Sequence, residues 1–346
     1  MKIVAGLGSI DDYVRLVKAG ADEMFCGFVP YEWNKKYGNL FPLNRREVLY
    51  YNVHIGTLED MKILKKMIDV YKVPVTIAFN YLYYVDKQYE IIADIIKDLI
   101  DIGFNEFIMA DIALILYIKE KGIKCSIHLS GECAEINRLS IDFFNRFDNI
   151  SRYIFHRKNT IEDMESCICR NNIKKTEYEA FILNERCHYI GAFCSSLHCD
   201  EMAHLCKIPY EMTKINEHSD NFSDVERRFS LYYSEFKDEI GSECYYVNNQ
   251  DIIKDYDNSE YDDEVDDTYM LGSTGCGLCS LEKLKAVGVT HLKVVGRGNF
   301  IDYMERDVRN LKKAINMLNN KNCDNYYKES IMEKLFCGKC SKECYY

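Results

Sequence analysis

The sequence predicts a TIM-like (β/α)8 barrel with a cysteine-rich insertion after the seventh strand. Short apolar runs alternate with amphipathic stretches through the first half, glycines stand where helices should end, and the alternation resumes for one further unit after a long polar interruption. Strands are predicted at residues 3–5, 23–27, 73–79, 106–110, 124–129, 153–156 and 179–183. Between most of them apolar residues recur at three and four positions, as at 58–71, 89–102 and 135–147, which is the helical period. Gly20, Gly103 and Gly122 fall at the expected C-caps. Strict β-then-α order implies a parallel sheet. A helix at 281–287, a strand at 291–295 and a long helix at 300–319 complete eight units. A doubly wound open sheet is the alternative.

The barrel is therefore expected over residues 1–319, with 184–275 as an inserted cysteine-rich and acidic segment and 320–346 as a cysteine-rich tail. Residues 255–267 are dense in Asp, Glu, Asn and Tyr and read as a solvated loop. The formal charge of -11 argues against a broad nucleic-acid-binding face, which needs a basic surface. The first residues read as a strand and not as a signal peptide, and no apolar run approaches the roughly 20 residues of a membrane helix. A cytoplasmic chain without a membrane segment is the expectation.

Sixteen cysteines are the outstanding feature. In a reducing compartment, clustered thiols point to metal before disulfides. Cys187, Cys194, Cys199 and Cys206 follow one another as Cys-x6-Cys-x4-Cys-x6-Cys directly after the seventh strand. That is not the short pair of a zinc ribbon, and thiolate ligation from dispersed loops suits an iron–sulfur cluster. Cys276 and Cys279 form a second group before the last unit, open to reading as a zinc half-site, a redox pair, or one ligand beside a packed thiol. Cys337, Cys340 and Cys344, with Cys323 nearby, form a third, read as a separate iron–sulfur or zinc site in the tail. Cys26 and Cys125 sit in strands and are expected to be packed.

In a barrel the chemistry belongs at the C-terminal ends of the strands. Residues there include Asn80, Asp111, His128, Ser130, Glu132, His156, Arg157, Glu185, Arg186 and Arg297. Of these, Arg157 and Arg297 suit an anionic or carbonyl-rich substrate, and His128 with Glu132 suits proton transfer.

Several segments resemble the collagenase-like peptidase family U32. Ala21-Asp22-Glu23-Met24-Phe25-Cys26-Gly27 looks like its second strand, and Leu43-Asn44-Arg45-Arg46-Glu47 like the helix start that follows. Phe107-Ile108-Met109-Ala110-Asp111 resembles its fourth strand. Glu185-Arg186-Cys187 through Cys194, Cys206-Lys207-Ile208-Pro209-Tyr210, and Cys276 through Gly296-Arg297 are similar to its ordered cysteines and closing Gly-Arg. The resemblance implies a TIM-like barrel with a 4Fe–4S cluster held by Cys187, Cys194, Cys206 and Cys276, and places an arginine at Arg157. It also implies chemistry like that of oxygen-independent hydroxylation proteins, acting on a small molecule, a peptide or an RNA base, with a protein partner in some members. The chain departs from the family where a glycine-led approach to the first cysteine is replaced by Asn184-Glu185-Arg186.

Three function classes follow: an iron–sulfur enzyme performing hydroxylation or sulfur or oxygen transfer, a non-catalytic electron-transfer or scaffold partner, and a protease. Cys187 beside His188 in sequence is not a catalytic dyad, which requires neighbours in space. No Cys-x3-Cys-x2-Cys triad is present, and Gly6-Leu7-Gly8 lacks the rest of a phosphate-binding fingerprint.

Overall fold

The computed structural model describes residues 1–37, 42–45, 53–133, 136–169, 176–187, 269–319, 327–336, 338 and 340–346. Two units divide the chain, Met1–Ile208 with Tyr269–Tyr346, and Pro209–Thr268. The second unit, most of the expected insertion including its acidic loop, and Cys194, Cys199, Cys206, Cys323 and Cys337 lie outside the described residues.

Nine parallel strands are described: β1 (Lys2–Leu7), β2 (Glu23–Phe28), β3 (His54–Ile55), β4 (Val75–Phe79), β5 (Glu106–Met109), β6 (Ser126–Leu129), β7 (Ile150–Ile154), β8 (Glu177–Leu183) and β9 (His291–Val294). Their order is β1-β9-β8-β7-β6-β5-β4-β2-β3, and β1 also pairs with β2. That last pairing closes an eight-stranded barrel, with the two-residue β3 added beside β2. The closed barrel, and not the open sheet, is the fold.

Helices α1 (Tyr13–Ala19), α2 (Tyr31–Tyr37), α3 (Leu58–Tyr71), α4 (Asp86–Ile102), α5 (Ile112–Glu120), α6 (Arg138–Phe144), α7 (Ile161–Ile168), α8 (Leu281–Val287), α9 (Ile301–Asn319) and α10 (Tyr327–Lys334) accompany the strands. Their starts follow local chemistry. Thr57, Asn137 and Thr160 each accept backbone N–H bonds at an N-cap. The sequence placed the sixth barrel strand at 153–156; it runs from Ile150 to Ile154, so His156 lies beyond it. Two short elements, β3 and α2, and helix α10 within the tail, carry too little periodic signal to be read from sequence. No helix among the described residues is long and apolar enough to cross a membrane.

Because side chains alternate along a strand, every second residue faces the barrel interior. The interior is layered. Glu23, Arg152, Glu179 and Lys293 lie two residues before Phe25, Ile154, Phe181 and Val295 respectively, on the same faces, so the charges sit nearer the strands' N-terminal ends. The apolar layer above comprises Val4, Phe25, Ala78, Ile108, Ile154, Phe181 and Val295. The other strand faces pack against the helices in the main core.

The charged layer is densely paired. Arg152 donates to Glu23 Oε2 (2.7 Å), Glu179 Oε2 (2.9 Å) and Glu177 Oε2 (2.7 Å), and its Nη2 lies 2.9 Å from His291 Nε2. Lys293 Nζ donates to Glu179 Oε1 at 2.6 Å, and Lys2 Nζ to Glu23 Oε1 at 2.8 Å. His128 lies level with Arg152 in the sheet register and is buried. Burial, reinforced by the Arg152 charge, lowers its pKa from 6.5 to about 3. Burial alone would raise Glu179; Lys293 and Arg152 overcome that and hold it at about 2.

These shifts set an acid limit on stability. An unfolded histidine gains a proton below 6.5, whereas buried His128 stays neutral down to about 3, so stability falls as pH drops through that window. Glu179 stabilises the fold above its ordinary value of 4.5, and that contribution is lost as pH falls toward about 2. The unfolding free energy should therefore decline with acid by up to about 1.4 kcal/mol per pH unit for each group in its window. Denaturant midpoints measured against pH should show a shallower slope for His128→Gln between 6.5 and 4.5. An unchanged slope would remove His128 from the account.

Candidate functional site at the barrel mouth

At the C-terminal ends of the strands lies a cavity of about 70 Å³ lined by Arg45, Asn80, Ser130, Glu132, Arg157, Glu185 and Arg297, by Phe25, Ala78, Ile108, Ile154, Phe181 and Val295 of the apolar layer, and by Lys293 reaching it from the charged layer. Its wall carries four cationic side chains and two carboxylates. A larger hollow of about 540 Å³, lined by Lys119, Lys124, Cys125 and Asn149 among others, lies at the strands' opposite ends and lacks the mouth's convergent charges.

Glu132, on the short turn Gly131–Cys133 after β6, links two guanidiniums: Arg157 Nη1 at 3.4 Å and Arg45 Nε at 3.5 Å. Gly131 permits this, because a side chain there would meet the backbone of Ile154 and His156 at 2.9 Å. Arg157 is fixed from below by stacking on Phe181, its guanidinium carbon 4.3 Å from the ring centroid. Burial opposes its charge, but Tyr345, Glu132, Glu185 and Cys187 together raise its pKa further. Its Nε–H is buried with no hydrogen-bond partner among the described residues. A guanidinium locked in place with an unspent donor suits recognition of an oxygen-bearing ligand.

Arg297 follows β9 and is buried. It donates to Asn44 Oδ1 at 3.0 Å and lies over the Phe25 ring at 5.7 Å. Gly27 makes its seat: any side chain there would collide with Arg297, His54 and Asn44. Asp111, another strand-end acid, accepts the N–H of Ala113 at 2.8 Å and so caps α5.

The structure thus brings Glu132, Arg157 and Arg297 to one cavity. His128 is not among the residues lining it; it belongs to the charged layer with Arg152, and no contact joins it to Glu132 among those described. Arg45 and Lys293 were not singled out from sequence as site residues. Arg45 lies in an irregular segment without periodic signal, and Lys293 reads as an ordinary strand residue.

The approach to Cys187 is built on left-handed backbone. A register irregularity in β8 between Phe181 and Leu183 precedes Asn184 and Glu185, whose φ values are 69° and 49°. A glycine is the natural residue at such a position, and asparagine is the best-tolerated alternative. Asn184 suits that left-handed backbone and adds a side chain with partners: its Nδ2 donates to Asp307 Oδ2 at 2.7 Å and to Val295 O at 3.3 Å.

From Leu183 the chain runs antiparallel to the segment before α8. Leu183 bridges Cys276, Asn184 N donates to Gly275 O at 2.9 Å, and Arg186 N donates to Thr274 O at 2.6 Å. Cys187 and Cys276 therefore stand on two paired segments that flank residues 188–268. Burial pushes the Cys276 thiol up to about 12, helped by the neighbouring Cys279, Cys340 and Cys344 thiols. Gly272 leaves room for its sulfur, which a side chain there would approach to 3.1 Å. A buried sulfur that resists ionisation by itself, in a space left open by glycine, fits a thiolate that needs a metal for its charge. Among the described residues no group of three or more His, Cys, Asp or Glu is arranged to hold a metal, and two of the four expected ligands are not among them.

The tail reaches the same place. Cys276 N donates to Glu343 O and Tyr345 N to Cys276 O, both at 2.8 Å. Tyr345 stacks on Phe181 with centroids 6.3 Å apart, packs on the interior apolar layer, and donates its hydroxyl to Asn184 O.

The model of peptidase family U32 matches residues 8–346. The chain belongs to that family. A curated relative, "tRNA hydroxylation protein P" of Escherichia coli (strain K12), is 22% identical over 235 residues, covering 64% of this chain. The chain spans 50% of that relative's length. Among solved structures, the U32 peptidase Mk0906 matches with a TM-score of 0.39 and 10% identity over 53% of this chain and 69% of that one. A structure described as native KDPGal matches with a TM-score of 0.40 and 8% identity over 91% and 95%.

Asn184 offers a direct check on this construction. Asn184→Ala places a Cβ in left-handed backbone and leaves the buried Asp307 short of a donor, which should cost about 2 kcal/mol in denaturant unfolding. Asn184→Gly relieves the backbone and loses only the amide, so it should cost less. The reverse order would show that backbone conformation is not what selects the residue.

Proposed function

We propose that this U32 chain is an iron–sulfur enzyme that modifies a substrate held in the barrel mouth, by oxygen-independent hydroxylation or by sulfur or oxygen transfer. The observation that carries this reading is a cavity walled by Arg45, Arg157, Lys293 and Arg297 at the rim where Cys187 and Cys276 stand. Membership of the family and a tRNA-hydroxylating relative support a modifying role.

Cys187, Cys194, Cys206 and Cys276 are the residues that would hold a 4Fe–4S cluster, which when bound supplies one-electron chemistry. Arg157 would present its unspent Nε–H, with its Nη atoms, to a carbonyl or anionic oxygen of the substrate. Glu132 is held between two guanidiniums and is the acid–base group of the site. Arg297 holds Asn44 and shapes the wall. His128 keeps a structural place in the charged layer. The substrate is a small molecule, a peptide or an RNA base; with a net charge of -11, an RNA would be gripped locally at the mouth and not along a broad face. Proteolysis is the weaker reading, because Cys187 and His188 are adjacent in sequence and a catalytic dyad requires neighbours in space.

Anaerobic purification with iron and sulfide counting tests the cluster. Cys187→Ser and Cys276→Ser should each lose most of the iron while circular dichroism stays native. Full iron in Cys276→Ser would overturn the ligand set. For the substrate, nucleoside mass spectrometry of tRNA from cells expressing the chain tests the RNA reading: a hydroxylated base supports it, and unmodified tRNA leaves the small-molecule and peptide classes. Arg157→Ala should keep its iron and lose roughly a hundredfold or more of that product, as loss of a preorganised donor does. Undiminished product from Arg157→Ala would move the reaction away from the mouth.

A further inference from the structure

The mouth already has an occupant, and it comes from the chain itself. Tyr345 inserts its ring over the interior apolar layer, parallel to Phe181 and beside the Arg157 guanidinium. Both groups line the cavity, and Arg157 is itself stacked on Phe181. Tyr346 follows, its hydroxyl donating to Phe181 O at 2.7 Å. The Tyr345 ring thus contacts Phe181 and Arg157, both of which line the cavity.

The way this segment is held suits a part that comes away. Residues 340–346 make a single bridge to Cys276 and no longer ladder. Among the described residues, the ties outside the two tyrosines are the Cys276 N–H bond to Glu343 O at 2.8 Å, Ser341 Oγ to Gly272 O at 2.7 Å and an exposed Arg186–Glu343 ion pair at 3.1 Å. Lys342, Glu343 and Cys344 are exposed. Among the described residues, a short bridge, a solvent-facing ion pair and two side-chain anchors are the features of a local unit able to open without global unfolding.

We propose that residues 340–346 form a self-inhibitory closure of the barrel mouth, in which the Tyr345 ring holds the place on Phe181 and Arg157 that a substrate must take. This rests on the mouth being the reaction site. Substrate binding then competes with the chain's own tyrosine. If the closed form holds 99% of the molecules, the apparent affinity falls about a hundredfold. The same segment touches the backbone on both sides of Cys276, so opening the mouth also uncovers one expected cluster ligand. Access for substrate and solvent exposure of that ligand are thereby linked.

The test uses the full chain and p-cresol, the side chain of tyrosine as a separate molecule. Tyr345→Ala vacates the ring's place and should bind p-cresol at least tenfold more tightly than the native chain or Tyr345→Phe, by calorimetry. Equal binding by all three would overturn the closure. Hydrogen exchange on the native chain provides a second measurement that needs no variant. The amides of Cys276 and Tyr345 should exchange by local opening, well before those of β8 and β9. Exchange of both only with global unfolding would make the segment a permanent cap and sink the proposal. Iron content of the native chain separates the two readings: a native chain that never holds iron, beside a Tyr345→Ala variant that binds p-cresol tightly, refutes the cluster and keeps the closure.

Discussion

Arg152 is buried inside a closed barrel, and a charge so placed must be neutralised by groups that reach it there. Glu23 from β2, Glu177 and Glu179 from β8, and His291 from β9 do so, while Lys293 shares Glu179 and Lys2 shares Glu23. The partners come from strands far apart in sequence, so the network is satisfied only when the barrel has closed in the correct register. A one-residue slip would turn each strand's charges outward. Breaking such a network by removing one partner costs about 3–5 kcal/mol, because the remaining charge is left stranded.

The layer above inherits its geometry from that register. With the charges two residues below, Phe181 and Phe25 become platforms for Arg157 and Arg297, and Lys293 packs against the Phe25 ring from the charged layer. The aromatic rings restrict the guanidiniums, and the glycines at 27 and 131 give them and their neighbours room. The mouth is therefore a wall of four cationic side chains and two carboxylates against an apolar floor, in which the Arg157 Nε–H is buried without a partner among the described residues.

The rim is built on a different principle. Segments 183–187 and 272–276 are joined by backbone bonds in antiparallel fashion, although the chain travels through residues 188–268 between them. Left-handed backbone at Asn184 and Glu185 turns the chain from β8 into this pairing, and the Asn184 amide ties the turn to Asp307 on α9. The long excursion thus leaves and re-enters at one place, where Cys187 and Cys276 stand. The tail meets the same rim through Glu343 and Tyr345, so thiols from three distant parts of the sequence are drawn to one end of the barrel.

The repeating β-then-α pattern, the helices at 58–71 and 281–287, and the expectation that strand-end residues such as Glu132, Arg157 and Arg297 share one mouth were legible in the sequence by itself, because periodicity and strand polarity are local properties. Local pattern was silent on three matters. His128 and Glu132 are four residues apart, yet the pleat and barrel stagger put one in the buried charge layer and the other on the cavity wall. Lys293 and Arg45 became site residues only through contacts with Phe25 and Glu132. The contacts of Tyr345 with Phe181 and Asn184, more than 160 residues away, have no local signal either. Sequence determined which residues repeat and which face a strand presents; closure of the barrel decided which of them meet, since that depends on register and on contacts that no local window contains.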